Sequence, residues 1–343
     1  MIKVLIIDDS AMVRKIITQE LSKDPDIKVV GTAPDPYIGR NKIVSLKPDV
    51  LILDIEMPKM DGLTFLDKLM RAFPMPVIIL SSLAKEGSSV ALKAYDLGAL
   101  EVICKPGLSY SVEDMGEQIR DKVKAVNEVK RFKKNIFKEN KVEKPVKKTH
   151  SMLKTTNKII AIGASTGGTE AIYNLLTKLP SDIPPILIVQ HMPQYFTKTF
   201  ADRLNNYCQF EVKEAVDGER IYPGKALLAP GNMHMALRRS GANYYVKIFD
   251  GPLKFHQRPS VEVLFDSVAE YAGRNSIGVL LTGMGKDGAQ GLLNMKNSGA
   301  FTIVQNEESC VVFGMPKEAI SLGAATKVLH INKIHNAILG LDP

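Results

Sequence analysis

Short runs rich in valine and isoleucine, at residues 4–7, 29–30, 50–53, 77–80 and 102–104, recur over the first 130 residues with helical patterning between them. Apolar runs of this length, bounded by polar turns, suit strands buried on both faces of a parallel sheet. The alternation resumes at 159–162 and continues through 186–189, 226–229, 277–281 and 301–304, with helices expected to begin near Thr166, Ser260 and Gly288. Residues 244–249 form a further expected strand, in an antiparallel portion. The last helix of the first stretch is announced by Ser111-Val112-Glu113-Asp114, a capping-box-like start, and places Val112, Met115, Ile119, Val123 and Val126 on one face.

A chain of 343 residues exceeds what one core usually organises. The boundaries expected are 1–132 for a first domain, 133–156 for a linker and 157–343 for a second domain. Lys, Asn and Thr dominate the middle segment, which contains Pro145 and lacks apolar periodicity, so it reads as extended and self-repelling. Residues 117–157 hold 13 Lys or Arg against 5 Asp or Glu, which is the whole of the net charge of +8. Without interleaved aromatics or a groove-reading motif, that run predicts a solvated linker rather than a nucleic-acid surface. Cys104, Cys208 and Cys310 are odd in number and widely spaced, which argues against both a disulfide framework and a zinc site. No apolar run is long enough for a bilayer, and the segment from Met1 to Asp9 lacks the features of a secretory signal, so a cytoplasmic location is expected.

The residues that carry chemistry fall at strand ends. Asp8 and Asp9 follow the first strand, Asp54 the third, Ser81 the fourth and Lys105 the fifth. In open parallel sheets ligands bind at that edge. Three carboxylates converging there repel one another unless a divalent cation intervenes, and all-oxygen ligation suits Mg²⁺. Lys105 could supply positive charge to an incoming phosphoryl group, accompanied by the Ser81 hydroxyl.

In the second stretch Gly163-Ala164-Ser165-Thr166-Gly167-Gly168 joins a strand to a helix and contains the G-x-S-x-G pattern of a nucleophile elbow. Such a turn also suits a phosphate cradle, the basis of an alternative reading as a binding output. The Walker pattern is absent. His191, His234 and His256 are candidate bases; His191 has the clearest strand-end position, and Asp287 follows a strand on the same edge. Ser165, His191 and Asp287 then suit a triad, whose definition is geometric rather than ordinal. Thr166 and Met284 are candidate oxyanion donors through their backbone N–H groups, although a methionine serves equally as core packing.

Asp8-Asp9-Ser10, the segment from Asp54 to Gly62 (DIEMPKMDG), Ser81-Ser82 and Lys105-Pro106 together resemble the receiver domain of two-component response regulators. The resemblance implies a flavodoxin-like fold with a parallel five-stranded sheet and phosphorylation at Asp54. It also implies Mg²⁺ held by Asp8, Asp9 and Asp54, with Ser81 and Lys105 as switch residues. Val102 departs from the pattern, standing where many receivers carry an aromatic switch residue.

Gly163 to Gly168, Gln190-His191-Met192-Pro193, Ala229 to His234, Arg258 to Glu262 and Leu281 to Ala289 resemble the catalytic domain of the CheB chemotaxis methylesterases. This implies a doubly wound, mostly parallel α/β hydrolytic domain with an antiparallel portion. The activity implied is hydrolysis of glutamate γ-methyl esters on methyl-accepting receptors, with deamidation of receptor glutamines, through an acyl-enzyme on Ser165, His191 and Asp287. A chemotaxis histidine kinase is the implied phosphodonor, and the esterase chemistry needs no cofactor. A receiver placed before a hydrolase further suggests that the unphosphorylated receiver restrains the active site.

Overall fold

The structure, a computed structural model, describes residues 1–81, 85–105, 112–129 and 158–340. The chain divides into two units, Met1–Lys138 and Glu139–Pro343. The expected linker, together with Ser82, Pro106 and Ser111, lies outside the described residues. No helix among the described residues is long and apolar enough to cross a membrane.

In the first unit strands and helices alternate strictly: β1 (Ile2–Ile7), α1 (Ala11–Leu21), β2 (Ile27–Ala33), α2 (Pro36–Leu46), β3 (Val50–Asp54), α3 (Gly62–Ala72), β4 (Val77–Ser81), α4 (Lys85–Asp96), β5 (Glu101–Cys104) and α5 (Val112–Glu128). The sheet is wholly parallel in the flavodoxin-like order β2-β1-β3-β4-β5. Strands β3 and β4 bury every residue, which explains why their sequences show no polar alternation. Three helix starts are fixed by short polar side chains: Ser10, Asp35 and Asp61 accept from the N–H groups of Val13, Ile38 and Thr64. Loss of such a cap typically costs about 1 kcal/mol. On α5 the expected apolar face is realised at Ile119, Val123 and Val126, all fully buried.

The second unit runs β6 (Ile159–Ala164), α6 (Gly168–Leu176), β7 (Ile186–Gln190), α7 (Phe196–Tyr207), β8 (Glu211–Glu214), β9 (Lys225–Leu228), β10 (His234–Ser240), β11 (Asn243–Phe249), α8 (Val261–Tyr271), β12 (Ser276–Leu280), α9 (Ala289–Asn297), β13 (Phe301–Gln305), α10 (Met315–Ser321), β14 (Lys327–Leu329) and α11 (Ile331–Ile338). Seven strands form one parallel sheet, ordered β14-β13-β12-β6-β7-β9-β8. The antiparallel portion is separate, a ribbon of β10 and β11. Helix α8 packs against both this ribbon and the main sheet. Central strands β6, β7 and β12 are fully buried, whereas the edge strands β8 and β14 are short and carry Glu and Lys, which discourages further pairing. Of the cysteines, Cys104 and Cys310 are buried and Cys208 is half-buried; all three are free, and burial pushes the Cys104 and Cys208 thiols up to about 12.

Candidate active site

Strands β7, β6 and β12 are neighbours in that order, so residues just beyond their C-terminal ends stand one strand spacing apart, about 4.8 Å. Ser165 follows β6, His191 follows β7, and Asp287 follows β12 after a six-residue loop. The structure joins them in a line: Ser165 Oγ is 3.1 Å from His191 Nδ1, and His191 Nε2 is 2.8 Å from Asp287 Oδ2. An ionised Asp287 accepts only, so Nε2 carries the proton and Nδ1 is left as the acceptor facing the serine. Exposure falls along the line from 8% at Ser165 through 7% at His191 to 2% at Asp287, so the serine is the end that a reactant can reach.

The Asp287 carboxylate is held from several sides. Oδ2 also accepts from Val261 N–H at 2.8 Å, while Oδ1 accepts from Glu262 N–H at 2.9 Å and Ser260 Oγ at 2.7 Å. Val261 and Glu262 open α8, and the nominal cap Ser260 makes no side-chain cap bond of its own, so Asp287 caps that helix from another part of the chain. Glu262 answers through Oε2, which accepts from Gly288 N–H at 3.1 Å. Burial works to raise the Asp287 pKa, but hydrogen bonding and charge from His191, with the Glu262 and Ser260 bonds, outweigh it and hold the group below the ordinary carboxylate value. Neither the Ser260 bond nor the remote cap was foreseen from sequence, since both span more than 20 residues. Gln190 is likewise structural here: its buried amide donates to the carbonyls of Ser165 (2.9 Å) and His191 (3.1 Å), tying two strand ends together.

The two other candidate bases are not on the line. His234 uses both ring nitrogens, Nδ1 accepting from Ser260 N–H at 3.3 Å and Nε2 donating to the Pro252 carbonyl at 3.0 Å. Burial, against that Pro252 bond, keeps its pKa below the ordinary histidine value. A histidine folded in its neutral form leaves the unfolded chain binding more protons. Its contribution to stability is therefore complete above about pH 6.5 and declines as pH falls from there through the folded pKa. Unfolding by urea between pH 7 and 5 should show this decline, and His234→Asn should flatten it. His256 is exposed on a loop with φ 59°.

Around Ser165 the backbone is tightly constrained. Gly167 adopts φ 76° at the start of α6, a conformation that a side chain would resist. Gly283 lies directly on the serine, where a Cβ would stand 2.4 Å from Met315 Sδ and 2.7 Å from Ser165 Cβ. Its N–H is committed to the Val312 carbonyl at 3.0 Å. By contrast, the N–H groups of Thr166 and Met284 make no hydrogen bond to a described residue. Thr166 is buried and Met284 half-buried, so packing and an available backbone donor coexist at residue 284. The loop from Thr282 to Gly285 is supported by the buried Thr282 hydroxyl, bonded to the carbonyls of Thr166 (2.9 Å) and Val312 (3.2 Å), and by Gln305 Oε1, which accepts from Thr282 N–H.

The first unit gathers a second cluster. Ligand oxygens of Asp8, Asp9 and Asp54 lie within 4.8 Å of one another at the ends of β1 and β3. Asp8 Oδ1 accepts from Ser10 N–H and Asp54 Oδ1 from Glu56 N–H. Both Oδ2 atoms are buried, and Lys105 Nζ, at 3.3 Å from Asp8 and 2.7 Å from Asp54, is their partner among the described residues. Burial first, then the neighbouring Asp8 charge against the Lys105 contact, pushes Asp54 up to about 6; burial likewise raises Asp8. An all-oxygen set with under-partnered buried carboxylates fits a hard divalent ion. Ser81 is buried at the end of β4, and Val102 is buried within β5.

Residues 160–338 match the family model described as CheB methylesterase, and residues 4–114 match the response regulator receiver domain. A relative from Syntrophus aciditrophicus, named protein-glutamate methylesterase/protein-glutamine glutaminase 2, is 58% identical, with 98% of each chain covered. Another from Escherichia coli O157:H7, named protein-glutamate methylesterase/protein-glutamine glutaminase, is 51% identical over 98% of this chain and 96% of the relative. Among solved structures, the Thermotoga maritima CheB methylesterase catalytic domain is 40% identical, covering 54% of this chain and 98% of that one, with a TM-score of 0.53. With both family models matched in turn, and relatives more than half identical over nearly the whole length, the chain belongs to the CheB methylesterase family, carrying a receiver domain ahead of its catalytic domain.

Proposed function

We propose that this protein hydrolyses γ-methyl esters of glutamate side chains on methyl-accepting chemotaxis receptors and deamidates receptor glutamines. It works in the cytoplasm, under control of phosphorylation at Asp54 by a chemotaxis histidine kinase, and so serves adaptation. The observation that carries the reading is the hydrogen-bonded line Ser165–His191–Asp287 at the ends of three adjacent strands.

Ser165 Oγ attacks the ester carbonyl carbon as His191 Nδ1 takes its proton, and Asp287 stabilises the imidazolium through Nε2–H. The oxyanion is received by the N–H groups of Thr166 and Met284. Collapse breaks the bond to methoxide, which leaves as methanol with the proton from His191; from a glutamine side chain ammonia leaves instead. Water, deprotonated by His191, then attacks the glutamyl-enzyme, releasing glutamate and restoring Ser165. One acyl-enzyme thus accounts for both activities in the relatives' names.

Residues 1–132 act as the receiver, 133–156 as a basic linker and 157–343 as the esterase, the unphosphorylated receiver restraining the site. Asp8, Asp9 and Asp54 would hold Mg²⁺, which would neutralise charge on the incoming phosphoryl group. Lys105 lies beside Asp54 and pairs with that group, while Ser81 senses it. Release of labelled methanol from methylated receptor membranes tests the reading, and it should rise when a small phosphodonor is added with Mg²⁺. Asp54→Asn should abolish the rise and leave the unstimulated release in place. Absence of release from the unsubstituted protein under both conditions would refute the activity.

A further inference from the structure

Among the described residues of the second unit, four non-glycine residues adopt left-handed backbone: Tyr195 (φ 72°), Asn232 (φ 65°), Phe255 (φ 52°) and His256 (φ 59°). All four stand on loops: that of Tyr195 follows His191, that of Phe255 and His256 meets Lys286 beside Asp287, and that of Asn232 touches both. Tyr195 comes four residues after His191. Gly231 packs on the Pro193–Gln194 backbone, and Asn232 clasps Arg258 by its N–H to the Arg258 carbonyl and by its Oδ1, which accepts from Arg258 Nε (3.1 Å) and Nη2 (2.8 Å). Lys254 and Gln257 exchange two backbone hydrogen bonds, 3.1 and 3.0 Å, across Phe255 and His256. Lys286, adjacent to Asp287, places Nζ 5.6 Å from the Phe255 ring centroid. The three loops therefore form one continuous rim.

The residue types on this rim oppose local folding preference. A two-residue turn with φ positive at both positions favours Asn-Gly, yet here it holds Phe255 and His256. The Tyr195 position favours glycine for the same reason. Core packing does not explain these aromatics, since Tyr195 is 44% and Phe255 36% exposed, and Leu253, two residues before Phe255, is 40% exposed. Exposed aromatics in unfavourable backbone at the mouth of a site mark contact with something bound.

We propose that Tyr195, Phe255 and Lys286 form the docking rim for the receptor segment that flanks the reacting ester. The inference rests on the esterase reading above and adds the surface that recognises the substrate protein. The fitting partner is an amphipathic segment with acidic side chains near the ester. Its apolar side lies on Tyr195 and Phe255, and its carboxylates face Lys286, which is exposed and forms no ion pair with a described residue. Each hydrolysed ester leaves a glutamate, so a segment with several esters acquires the charge that Lys286 complements.

The test compares full-length protein with Tyr195→Gly and with the double variant Phe255→Asn/His256→Gly, which give each turn its locally preferred residues. With methylated receptor membranes, KM should rise about tenfold or more while kcat changes by less than about twofold, with Tm unchanged or higher. In parallel, co-sedimentation of inactive Ser165→Ala protein with the same membranes should weaken when the rim substitutions are added. Unchanged KM and unchanged co-sedimentation would overturn the rim, as would a kcat loss accompanying a lower Tm. Absence of methanol release from the parent protein would refute the esterase reading instead, while the co-sedimentation arm still decides the rim.

Discussion

Ser165→Ala should lower kcat for methanol release by about 10⁶-fold while the protein stays folded. The substitution removes Oγ, the atom that forms the acyl bond in the proposed mechanism, and that route has no substitute for it. Its structural cost is small. Among the described residues Oγ makes one hydrogen bond, at 3.1 Å to His191, whereas the backbone N–H and carbonyl of Ser165 keep their bonds to Thr282 and Gln190. Loss of that single side-chain bond corresponds to about 0.5–1.5 kcal/mol. Methanol assays paired with urea unfolding check both halves, and substantial Ser165-independent release would remove the covalent mechanism.

Asp287→Asn should lower kcat by about 10⁴-fold, and unlike the serine substitution it should also destabilise the catalytic unit by about 2–4 kcal/mol. The carboxylate accepts four hydrogen bonds: from His191 and Val261 on Oδ2, and from Ser260 and Glu262 on Oδ1. An amide keeps one acceptor oxygen and turns an NH₂ toward donors on the other side. With the NH₂ beside His191, Nε2 becomes the acceptor and the proton moves to Nδ1, the atom that takes the serine proton in the proposed mechanism. In that orientation the Val261 N–H also loses its acceptor; with the NH₂ reversed the Glu262 N–H loses its acceptor instead, and in either case the helix N-terminus loses a negative charge. The stability difference has a pH signature. Because the folded pKa of Asp287 is depressed, the stabilisation is present above about pH 4 and is lost as pH falls through the folded value. Equal acid sensitivity of the two proteins would contradict this account.

The layout of strands was legible because parallel strands buried on both faces leave uninterrupted apolar runs, as Val50 to Leu53 and Ile159 to Ile162 do. Strand ends then singled out Ser165, His191 and Asp287 as candidates, since ligands of an open parallel sheet gather at one edge, and the structure joins the three by hydrogen bonds. Less visible were the elements without such runs. Strand β8 has one apolar residue, Val212, β14 has three residues in all, and β10 changes from buried to exposed along its length. The choice between His191 and His234 could not be read from residue type, because it depends on which partners each ring meets. The remote cap was illegible for a similar reason: Asp287 and Val261 are 26 residues apart, and only the packing of α8 against the sheet brings them together.

The cap on α8 has a bearing on how related chains should be judged when they have abandoned hydrolysis. Among the described residues Ser165 makes one side-chain bond, so it would be free to drift once the chemistry proposed for it was no longer selected, whereas Asp287 would still be held in place by the helix it secures. A surviving aspartate at this position is therefore poor testimony that a homologue is alive as an enzyme. The serine, which the fold can do without, is the more informative relic.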